Sequence, residues 1–454
     1  MKCLINMFVI IILGSQAFSQ NWPQWRGTSR DGHVKDFEVP KTWPDELSKI
    51  WSVKVGAGIS SPIVKDGRVY LLTREGDDET ASCLNLKNGE VVWRQSYVSP
   101  FYANPQASSK RLFPASRGNG PFATPIVYND RLYTLGVDRI LSCFDANTGK
   151  INWQNHYFKT EGPKETVYEC PPCGCSEDDK TFEALGTCSA CQMEYGVMGF
   201  ETSAVQVGNY YGAVCSPIIV GDLGVVHVGN GEQGTMIAFD LESGKTKWEW
   251  KGPAMASSSP VFVELHNTRQ LVTMTRLSVV GVSAQNGELL WTFPLESNAQ
   301  IVTPVLFEDI IIFATYRGPT IAIRPSKNEN TWSVKEVWKN TDMTVWTSSF
   351  VLDGPDLYGF FYSKRGQFGS IDARTGEVIW TSEGRQGLAA AMLDIGDHLM
   401  AIRNDGQLFV LAKGDSFHSL VRYSIAESPT WAHPVIWGTN ILIKDESNLT
   451  LWQL

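Results

Sequence analysis

Five of the nine cysteines of this 454-residue chain lie within one short segment, residues 168–195. Four of them form two Cys-x-x-Cys pairs, Cys170 with Cys173 and Cys188 with Cys191, separated by a spacer of fourteen residues. Two thiolate pairs at this separation can surround one tetrahedral metal ion, most often zinc. A segment this short cannot build its own core, so the metal would supply its folding free energy. The spacing therefore predicts a structural zinc site.

Other chemistries remain open for the same residues. Cys175 lies outside both pairs and is a fifth candidate ligand or a bystander. Disulfides are an alternative, because exported proteins meet an oxidising compartment, and a redox-active pair is another. Four thiolates leave no open coordination position, which favours a structural over a catalytic metal. Met193 and the acidic residues 177–179 keep a metal-handling role as a further hypothesis.

The rest of the chain contains an internal repeat with a period of about 40 residues. Such a period is typical of propellers and solenoids. Three copies read CFDANTGKINW, AFDLESGKTKW and SIDARTGEVIW, at residues 143–153, 238–248 and 370–380. In each copy an Asp starts a tight turn, a Gly takes the positive-φ position, and a Trp falls on the following strand. Such a Trp can fill the gap against a neighbouring unit.

A second strand pair precedes each copy, as in SSPIVKDGRVYLLT at residues 60–73, and the two patterns together give eight units of four strands. The last unit ends at residue 454 with only three strands, and residues 49–55 have the pattern of the missing outer strand. Pairing that N-terminal strand into the last unit closes a ring without an unpaired edge. The sequence predicts an all-β, eight-bladed β-propeller over residues 49–454, preceded by an extension at residues 20–48.

Charge and the N-terminus indicate where such a protein works. The net charge of -9 and the pI near 5.4 argue against a nucleic-acid partner. Residues 1–19 have the pattern of a signal peptide, with Lys2, an apolar run and small residues before a cleavage site. The apolar run is shorter than the roughly 20 residues that span a membrane. We therefore expect a periplasmic or otherwise extracytoplasmic protein without an integral membrane segment after cleavage.

The Asp-x-x-x-Gly-x-x-x-Trp repeats resemble those of the pyrroloquinoline quinone (PQQ)-like propellers, and NWPQWRGTSRDG at residues 21–32 resembles the opening of their exported bacterial members. That family includes PQQ-dependent dehydrogenases and non-enzymatic scaffolds such as BamB. The cysteine segment resembles zinc ribbons and the heavy-metal-binding segments of bacterial copper-handling proteins, through YxCP at 168–171 and GxCxxCxM at 186–193. It departs from the copper-handling pattern at residues 173–175, where a Met-His pair is expected.

The resemblance to the dehydrogenase branch implies PQQ, Ca²⁺, a catalytic Asp and a disulfide between adjacent cysteines. No two cysteines are adjacent in this chain, and no Asp aligns with the catalytic position. Short motifs for metalloproteases, serine hydrolases, phosphate loops and haem attachment are also missing from the sequence. We therefore assign no catalytic residue. A PQQ-dependent oxidoreductase acting on alcohols or sugars stays as the alternative to a binding module.

A propeller of this kind places the loop after the second strand of every blade on one face, around the central channel. In seven of the eight blades this loop carries a cation; the residues are Arg74, Arg139, Arg276, Arg317, Lys364 with Arg365, Arg403 and Lys444. Such a ring could focus an anionic ligand into the channel. The alternative is that these are solvated loop residues that pair with neighbouring acids and contribute little.

The loops between blades open on the same face. They carry aromatic and polar residues that either stack on a planar ligand or pack the channel mouth: Tyr211, Gln300, Trp346, Trp431 and His433. Two of these loops are long insertions, one ending near residue 121 and the other, residues 154–213, placed between blades 2 and 3 and holding the cysteines. Long loops in a compact fold are usually functional, so we expect a cap at the channel mouth. The sequence favours an exported module that binds an envelope protein or a small anionic ligand.

Overall fold

The computed structural model describes residues 21–35, 37–101, 120–158, 166–169, 175–177, 180–182, 186–194, 196–200, 212–229, 233–296 and 302–454. Eight four-stranded antiparallel sheets follow one another, and a three-stranded sheet lies between the second and third in sequence. Within these ranges there is no α-helix, and one 3-10 turn occurs at Ser363–Arg365. The predicted all-β, eight-bladed propeller is confirmed. The predicted signal peptide lies outside the described residues.

In blades 1 to 7 the strand that comes first in the sequence is the innermost, and the fourth is the outermost. The first strand in the sequence, β1 (Ser48–Lys54), belongs to the last blade. Blade 1 comprises β2 (Ile63–Lys65), β3 (Arg68–Glu75), β4 (Asp78–Asn85) and β5 (Val91–Val98). Blade 2 comprises β6 (Ile126–Tyr128), β7 (Arg131–Leu135), β8 (Ile140–Asp145) and β9 (Ile151–His156). The insertion contains β10 (Thr166–Glu169), β11 (Thr181–Phe182) and β12 (Gly196–Phe200).

The next three blades repeat this order. Blade 3 comprises β13 (Ile218–Val220), β14 (Leu223–Gly229), β15 (Gln233–Asp240) and β16 (Thr246–Pro253). Blade 4 comprises β17 (Val261–Leu265), β18 (Thr268–Met274), β19 (Ser278–Ser283) and β20 (Leu289–Pro294). Blade 5 comprises β21 (Val305–Phe307), β22 (Ile310–Ala314), β23 (Thr320–Asn328) and β24 (Thr331–Asn340).

The last three blades close the ring. Blade 6 comprises β25 (Val351–Asp353), β26 (Asp356–Phe361), β27 (Gln367–Asp372) and β28 (Val378–Thr381). Blade 7 comprises β29 (Ala390–Asp394), β30 (His398–Arg403), β31 (Gln407–Ala412) and β32 (Ser419–Ser424). Blade 8 comprises β33 (Val435–Trp437), β34 (Asn440–Lys444), β35 (Asn448–Gln453) and the N-terminal β1, which pairs antiparallel with β35 as predicted.

The repeated motif is the joint between neighbouring blades. In blade 2 the Asp145 carboxylate accepts the N–H of Thr148 at 2.8 Å and so fixes the turn. Gly149 has φ 75°, and a Cβ on it would lie 2.5 Å from the ring of Trp93 in blade 1. The Trp93 indole N–H donates to Ala146 O of blade 2 at 2.9 Å. The Trp of one blade therefore packs flat on the turn of the next, which only a glycine permits.

Apolar side chains fill the space between blades around each joint. One cluster joins Tyr70 of blade 1 to Phe144 and Leu132 of blade 2, and equivalent clusters follow around the ring. Burying a side chain of this size stabilises the fold by about 1.5–3 kcal/mol. Within the described ranges, no helix has the length and apolar character that crossing a membrane requires.

The N-terminal segment, residues 21–34, crosses the central channel. Trp22 exchanges two backbone hydrogen bonds with Val64 of blade 1, at 2.7 and 2.9 Å. Asp394 of blade 7 accepts the backbone N–H of Val34 at 2.8 Å, and its carboxylate lies 3.2 Å from the His33 ring. Pro23 O also accepts the N–H of Val127 in blade 2 at 2.9 Å, and His33 Nε2 lies 2.8 Å from Leu352 O in blade 6, so the segment bonds to innermost strands on opposite sides of the ring. The sequence indicated only an extension here, because nothing in its composition shows that it enters the channel.

Candidate functional site

The predicted ring of cations divides into two groups in the structure. In the first group the side chain is at least nine-tenths buried; its members are Arg74, Arg139, Arg403 and Lys444. In the second group the side chain is exposed; its members are Arg317, Lys364 and Arg365. Arg276 lies between these extremes and is half-buried, and its backbone N–H donates to Ala254 O at 2.9 Å.

Arg139 fastens the root of the cysteine-bearing insertion to the propeller. Its Nε donates to Gly229 O of blade 3 at 2.7 Å, and its Nη1 donates to Phe158 O at the start of the insertion at 3.4 Å. Its own carbonyl accepts the N–H of Tyr157 at 3.1 Å. Burial lowers the pKa of Arg139, and the neighbouring Asp138 carboxylate opposes that shift. This cation holds two blades and an insertion together.

Lys444 occupies the equivalent position in blade 8 and secures the ring closure. Its Nζ donates to Gly58 O, between β1 and β2, at 2.5 Å and to Asp445 O at 3.1 Å. Burial lowers the Lys444 pKa to about 8, against the opposing charges of Asp445 and Glu446. The ammonium group therefore joins the last blade to the chain that leads into the first.

The other two buried cations also have structural partners. The Arg74 Nη2 donates to Ser99 O, at the end of blade 1, at 2.9 Å. The Arg403 Nε donates to the Asp405 carboxylate at 3.1 Å, and its Cζ lies 5.0 Å from the centroid of the Phe409 ring. These cations pair with neighbours, as the alternative to an anion-focusing ring has it, but they are buried rather than solvated and bond to backbone carbonyls as well as to acids.

The exposed group, which we call the cationic rim, lies in blades 5 and 6. Arg317 stands over an aromatic cluster, with its Cζ 4.9 Å from the Tyr362 centroid, 5.3 Å from Tyr316 and 5.9 Å from Trp346. Lys364 and Arg365 occupy the 3-10 turn, and both have positive φ. Within the part of the chain that the structure describes, none of the three rim cations forms an ion pair.

The aromatic candidates from the loops between blades lie beside this rim. Trp346 is buried, and its ring meets Trp431 edge-on with centroids 6.2 Å apart. Trp431 is half-buried and lines the channel mouth. The aromatic cluster therefore runs from the exposed cations to the channel. The two other loop candidates, Tyr211 and Gln300, lie outside the described residues.

A ring of hydroxyl groups surrounds the channel mouth, which we had not assigned from the sequence. Each hydroxyl lies two residues before the first strand of its blade and accepts the backbone N–H of the equivalent residue in the preceding blade. The four consecutive bonds, of 3.0–3.2 Å, join Ser61, Thr124, Ser216, Ser259 and Thr303. The signal was present in the sequence as a Ser or Thr before proline in these five blades.

His433 extends this series into blade 8, since its backbone N–H donates to Ser61 Oγ at 2.8 Å. Its imidazole meets the Trp25 ring edge-on at 5.5 Å, and its Nδ1 has no hydrogen-bond partner among the described residues. Burial, and then the charge of Arg26, lower the His433 pKa to about 3. Together with the hydroxyl ring, His433 and Trp25 line a cavity of about 150 Å³.

The cysteine segment brings three sulfur atoms together. The Sγ atoms of Cys175, Cys188 and Cys191 lie within 4.8 Å of one another, and no disulfide joins these three cysteines to each other. The predicted ligands Cys170 and Cys173 lie outside the described residues. Cys175, which the spacing left as a fifth candidate, therefore joins the second Cys-x-x-Cys pair. Its participation was hard to foresee because Cys173-x-Cys175 is not the usual pair spacing.

The geometry of these sulfurs fits a thiolate metal site. Cys175 Sγ and Cys188 Sγ are 3.8 Å apart. Sulfurs held about 2.3 Å from zinc in a tetrahedron lie about 3.8 Å from one another. The backbone N–H of Glu177 points to Cys175 Sγ at 3.4 Å, and that of Cys191 points to Cys188 Sγ at 3.5 Å. Such N–H groups stabilise thiolate charge. The cluster could bind a metal.

The fold and its repeats define the class of protein as an eight-bladed PQQ-repeat propeller. The family model described as "Outer membrane protein assembly factor BamB" (PQQ_2) matches residues 31–164 and 210–382, more than half of the chain. The chain belongs to this family. The interval between the two matched ranges contains the cysteine segment, so the family pattern does not account for the cysteines. A search of curated proteins gives no significant match.

Solved structures share this fold at low sequence identity. BamB from Moraxella catarrhalis is 13% identical with a TM-score of 0.55, over 90% of this chain and 98% of that one. The quinohemoprotein alcohol dehydrogenase from Comamonas testosteroni is 12% identical with a TM-score of 0.63, over 96% and 80%. The computationally designed Ika8 protein is 10% identical with a TM-score of 0.54, over 90% and 100%. At these identities the likeness establishes the fold alone.

Proposed function

We propose that the protein is an exported, non-catalytic binding or scaffold module. It would bind an envelope protein or a small anionic ligand through the face that carries the insertions. The observation that supports this proposal is the cationic rim, where Arg317, Lys364 and Arg365 are exposed beside an aromatic cluster. Arg, Tyr and Trp are the side chains most enriched at the energetic centres of protein interfaces.

Charge favours an acidic partner for this surface. The chain has a net charge of -9, so an exposed group of cations stands out against a negative background. Positive patches steer acidic partners and raise their association rates, and the effect weakens as salt screens it. Arg317 adds a planar guanidinium already stacked on aromatic rings, which loses little side-chain entropy when it binds a carboxylate.

The test compares two triple variants that remove the same amount of charge. The first is Arg317→Gln, Lys364→Gln and Arg365→Gln. The control is Lys150→Gln, Lys335→Gln and Arg374→Gln, which changes three exposed cations away from the channel mouth. Wild-type protein and both triple variants are each immobilised and incubated with an envelope extract, and the retained proteins are compared by mass spectrometry. We expect a partner that the control retains and the rim variant loses.

Equal retention by both variants would contradict the proposal for a protein partner. Small anionic ligands are tested on the same two variants by thermal melting, where a ligand of the rim should stabilise only the control. The alternative, a PQQ-dependent dehydrogenase, is tested by adding PQQ and Ca²⁺ to the wild-type protein. Dye-linked oxidation of alcohols or sugars after that addition would contradict a non-catalytic role.

A second proposal concerns the insertion, where a structural metal, most often zinc in such sites, would be bound by Cys175, Cys188 and Cys191. A cysteine outside the described residues, Cys170 or Cys173, would complete the tetrahedron. Four thiolates would then hold a structural ion with no open position. The supporting observation is the 3.8 Å separation of Cys175 Sγ from Cys188 Sγ.

Elemental analysis with thiol counting tests this second proposal directly. We expect about one zinc ion per chain in the wild type, since one tetrahedral site has one ion. Cys175→Ser should lose the metal, whereas Cys143→Ser, which changes a buried cysteine in blade 2, should keep it. If Cys175→Ser keeps the metal content of the wild type, Cys175 is not a ligand of the metal. Exchange of the metal with a chelator on a scale of minutes would favour metal handling over a structural role.

A further inference from the structure

Close to Trp25 in the channel cavity, the N-terminal segment places two arginines in the interior of the protein. Arg26 is 1% exposed and Arg30 is 6% exposed. The Cζ atoms of both lie close to the same indole, 5.5 and 5.6 Å from the centroid of the Trp25 ring. Trp25 also lines the cavity, so the two guanidinium groups lie behind one of its walls and do not line it themselves.

The hydrogen bonds of Arg26 leave much of its charge without a counter-ion. Its Nη2 donates to Asp31 O at 2.8 Å and to Phe350 O, while its Nε and Nη1 have no partner among the described residues. The Asp31 carboxylate accepts the N–H of His33 at 3.0 Å and opposes the burial that lowers the Arg26 pKa to about 10. Among the described residues, the Asp31 carboxylate forms no ion pair with Arg26.

Arg30 is in a similar position. Its Nη1 donates to Pro217 O at 2.7 Å and to Gln24 Oε1 at 3.3 Å, and its Nη2 donates to Ser216 O at 3.3 Å. These acceptors are neutral, and its Nε has no partner among the described residues. Burial, and then the charge of Arg26, lower the Arg30 pKa to about 9. Two buried like charges with neutral acceptors are costly unless an anion accompanies them.

The positive charge extends to the residues that line the cavity. Arg26 contributes to the low pKa of His433, which is one of those residues. Arg30 bonds the carbonyl of Ser216, whose hydroxyl belongs to the ring around the same cavity. Two buried guanidinium charges therefore lie close to residues that line the cavity, although the protein as a whole is acidic.

The hydroxyl ring supplies donors at the same place. The hydroxyl oxygens of Thr124, Ser216, Ser259 and Thr303 each accept a backbone N–H. Within the described part of the chain none of these hydroxyls donates a hydrogen bond to another residue. Since an accepting hydroxyl still has its own proton to donate, several O–H groups are available on the wall of the cavity.

We propose that the channel mouth binds one compact oxyanion, such as a phosphate, a sulfate or a small carboxylate. The ring hydroxyls donate hydrogen bonds to it, and Arg26 and Arg30 behind Trp25 supply the positive charge. The cavity of about 150 Å³ suits an anion of a few heavy atoms. Sites for drug-sized ligands occupy roughly 300–1,000 Å³. The proposal concerns the channel and does not depend on the cationic rim, so either can fail alone.

The experiment titrates the wild-type protein by calorimetry with sodium phosphate, sodium sulfate, sodium acetate and sodium chloride, each in separate runs. Ionic strength is held constant with sodium gluconate, a bulky anion. We expect saturable binding of one ion per chain for at least one oxyanion, with tighter binding than for chloride. The order of affinities then distinguishes a tetrahedral ion from a carboxylate. Absence of saturable binding by all the oxyanions at millimolar concentration would overturn the proposal.

Variants separate charge from hydrogen bonding. Arg30→Gln should weaken binding by about tenfold, because it removes one of the two buried positive charges that offset the charge of the anion. Thr303→Val removes one O–H donor and should weaken binding several-fold. Its control, Thr235→Val, changes a buried threonine of β15 and should leave binding unchanged. If Arg30→Gln does not fold, Thr303→Val decides: wild-type affinity in that folded variant would overturn the site.

Discussion

Two sectors of the same rim use equivalent positions of the repeat in opposite ways. In blades 2 and 8 the cation after the second strand is buried, and Arg139 and Lys444 donate to the carbonyls of neighbouring segments. In blades 5 and 6 the cation is exposed, and Arg317 rests on aromatic rings instead. The buried sector joins blades together. The exposed sector leaves charge available to a partner.

The difference is explained by what lies beside each loop. Arg139 stands at the root of a long insertion, whose backbone carbonyl at Phe158 needs a donor. Lys444 stands at the ring closure, where the carbonyl of Gly58 needs one. Blades 5 and 6 have neither an insertion root nor a closure at this position. A buried carbonyl without a donor costs about 1–3 kcal/mol, so a cation close to one is drawn into the structure.

The largest expected effect is in the buried sector. Arg139→Ala should destabilise the protein by about 3 kcal/mol, because it leaves two carbonyls unpaired and removes the cation beside buried Asp138. Arg374→Ala is the control, since Arg374 is exposed and pairs with Asp372 in its own turn. Urea unfolding measures both. Equal unfolding free energies for the two variants would contradict the claim that the buried cations stabilise the fold more than exposed ones.

The next effect is a pH dependence at Lys444. The Lys444 pKa of about 8 in the folded protein lies below its value in the unfolded chain. At pH values between these two pKa values, the unfolded chain therefore binds more protons than the folded protein. The free energy of unfolding of the wild type should therefore rise with pH relative to Lys444→Met, by about 2 kcal/mol from pH 8 to pH 10. Urea unfolding of both proteins across this range is the measurement. Parallel profiles would show that the ammonium group is not held as described.

A smaller effect is expected within the exposed sector. Arg317→Ala loses cation–π contacts with three rings and should cost about 0.5–1 kcal/mol. Arg365→Ala loses no such contact with the described residues and should change the unfolding free energy by less. Thermal melting of the two variants gives the comparison. A larger loss in Arg365→Ala would mean that this residue has a structural role.

A similarly small effect is expected for the triple rim variant, Arg317→Gln, Lys364→Gln and Arg365→Gln, which loses the same Arg317 contacts. Exposed charges without ion pairs contribute little to stability, so its unfolding free energy should stay within about 1 kcal/mol of the wild type. The matched control triple should behave in the same way under urea. A drop of several kcal/mol in the rim variant alone would place these cations with the buried sector.

The sequence predicted the parts of the fold that repeat. The spacing of Asp145, Gly149 and the Trp residues predicted the blades. The same joint between blades occurs several times, so its motif recurs in the sequence with a recognisable period. The closure by β1 followed from counting strands. The burial of Arg139 and the exposure of Arg317 could not be predicted, because both occupy the same place in the repeat and differ only in neighbours distant in sequence.

The same limit applies to the sites. Cys188 and Cys191 were proposed as ligands because of their Cys-x-x-Cys spacing. Cys175 lies beside them only because of how the chain folds between the two groups of cysteines. The channel arginines, Arg26 and Arg30, were missed because only a three-dimensional path carries residues 21–34 across the ring. Residues that act within a local motif could be predicted. Residues brought together by chain paths could not.

The central claim is that the exposed sector binds and the buried sector holds the ring together. The most direct measurement is the affinity of the partner recovered from envelope extract for wild-type protein, the rim triple variant and the control triple variant, at one salt concentration. We expect at least about a tenfold loss, or about 1.4 kcal/mol, in the rim variant with none in the control. Equal affinity of all three folded proteins would contradict it.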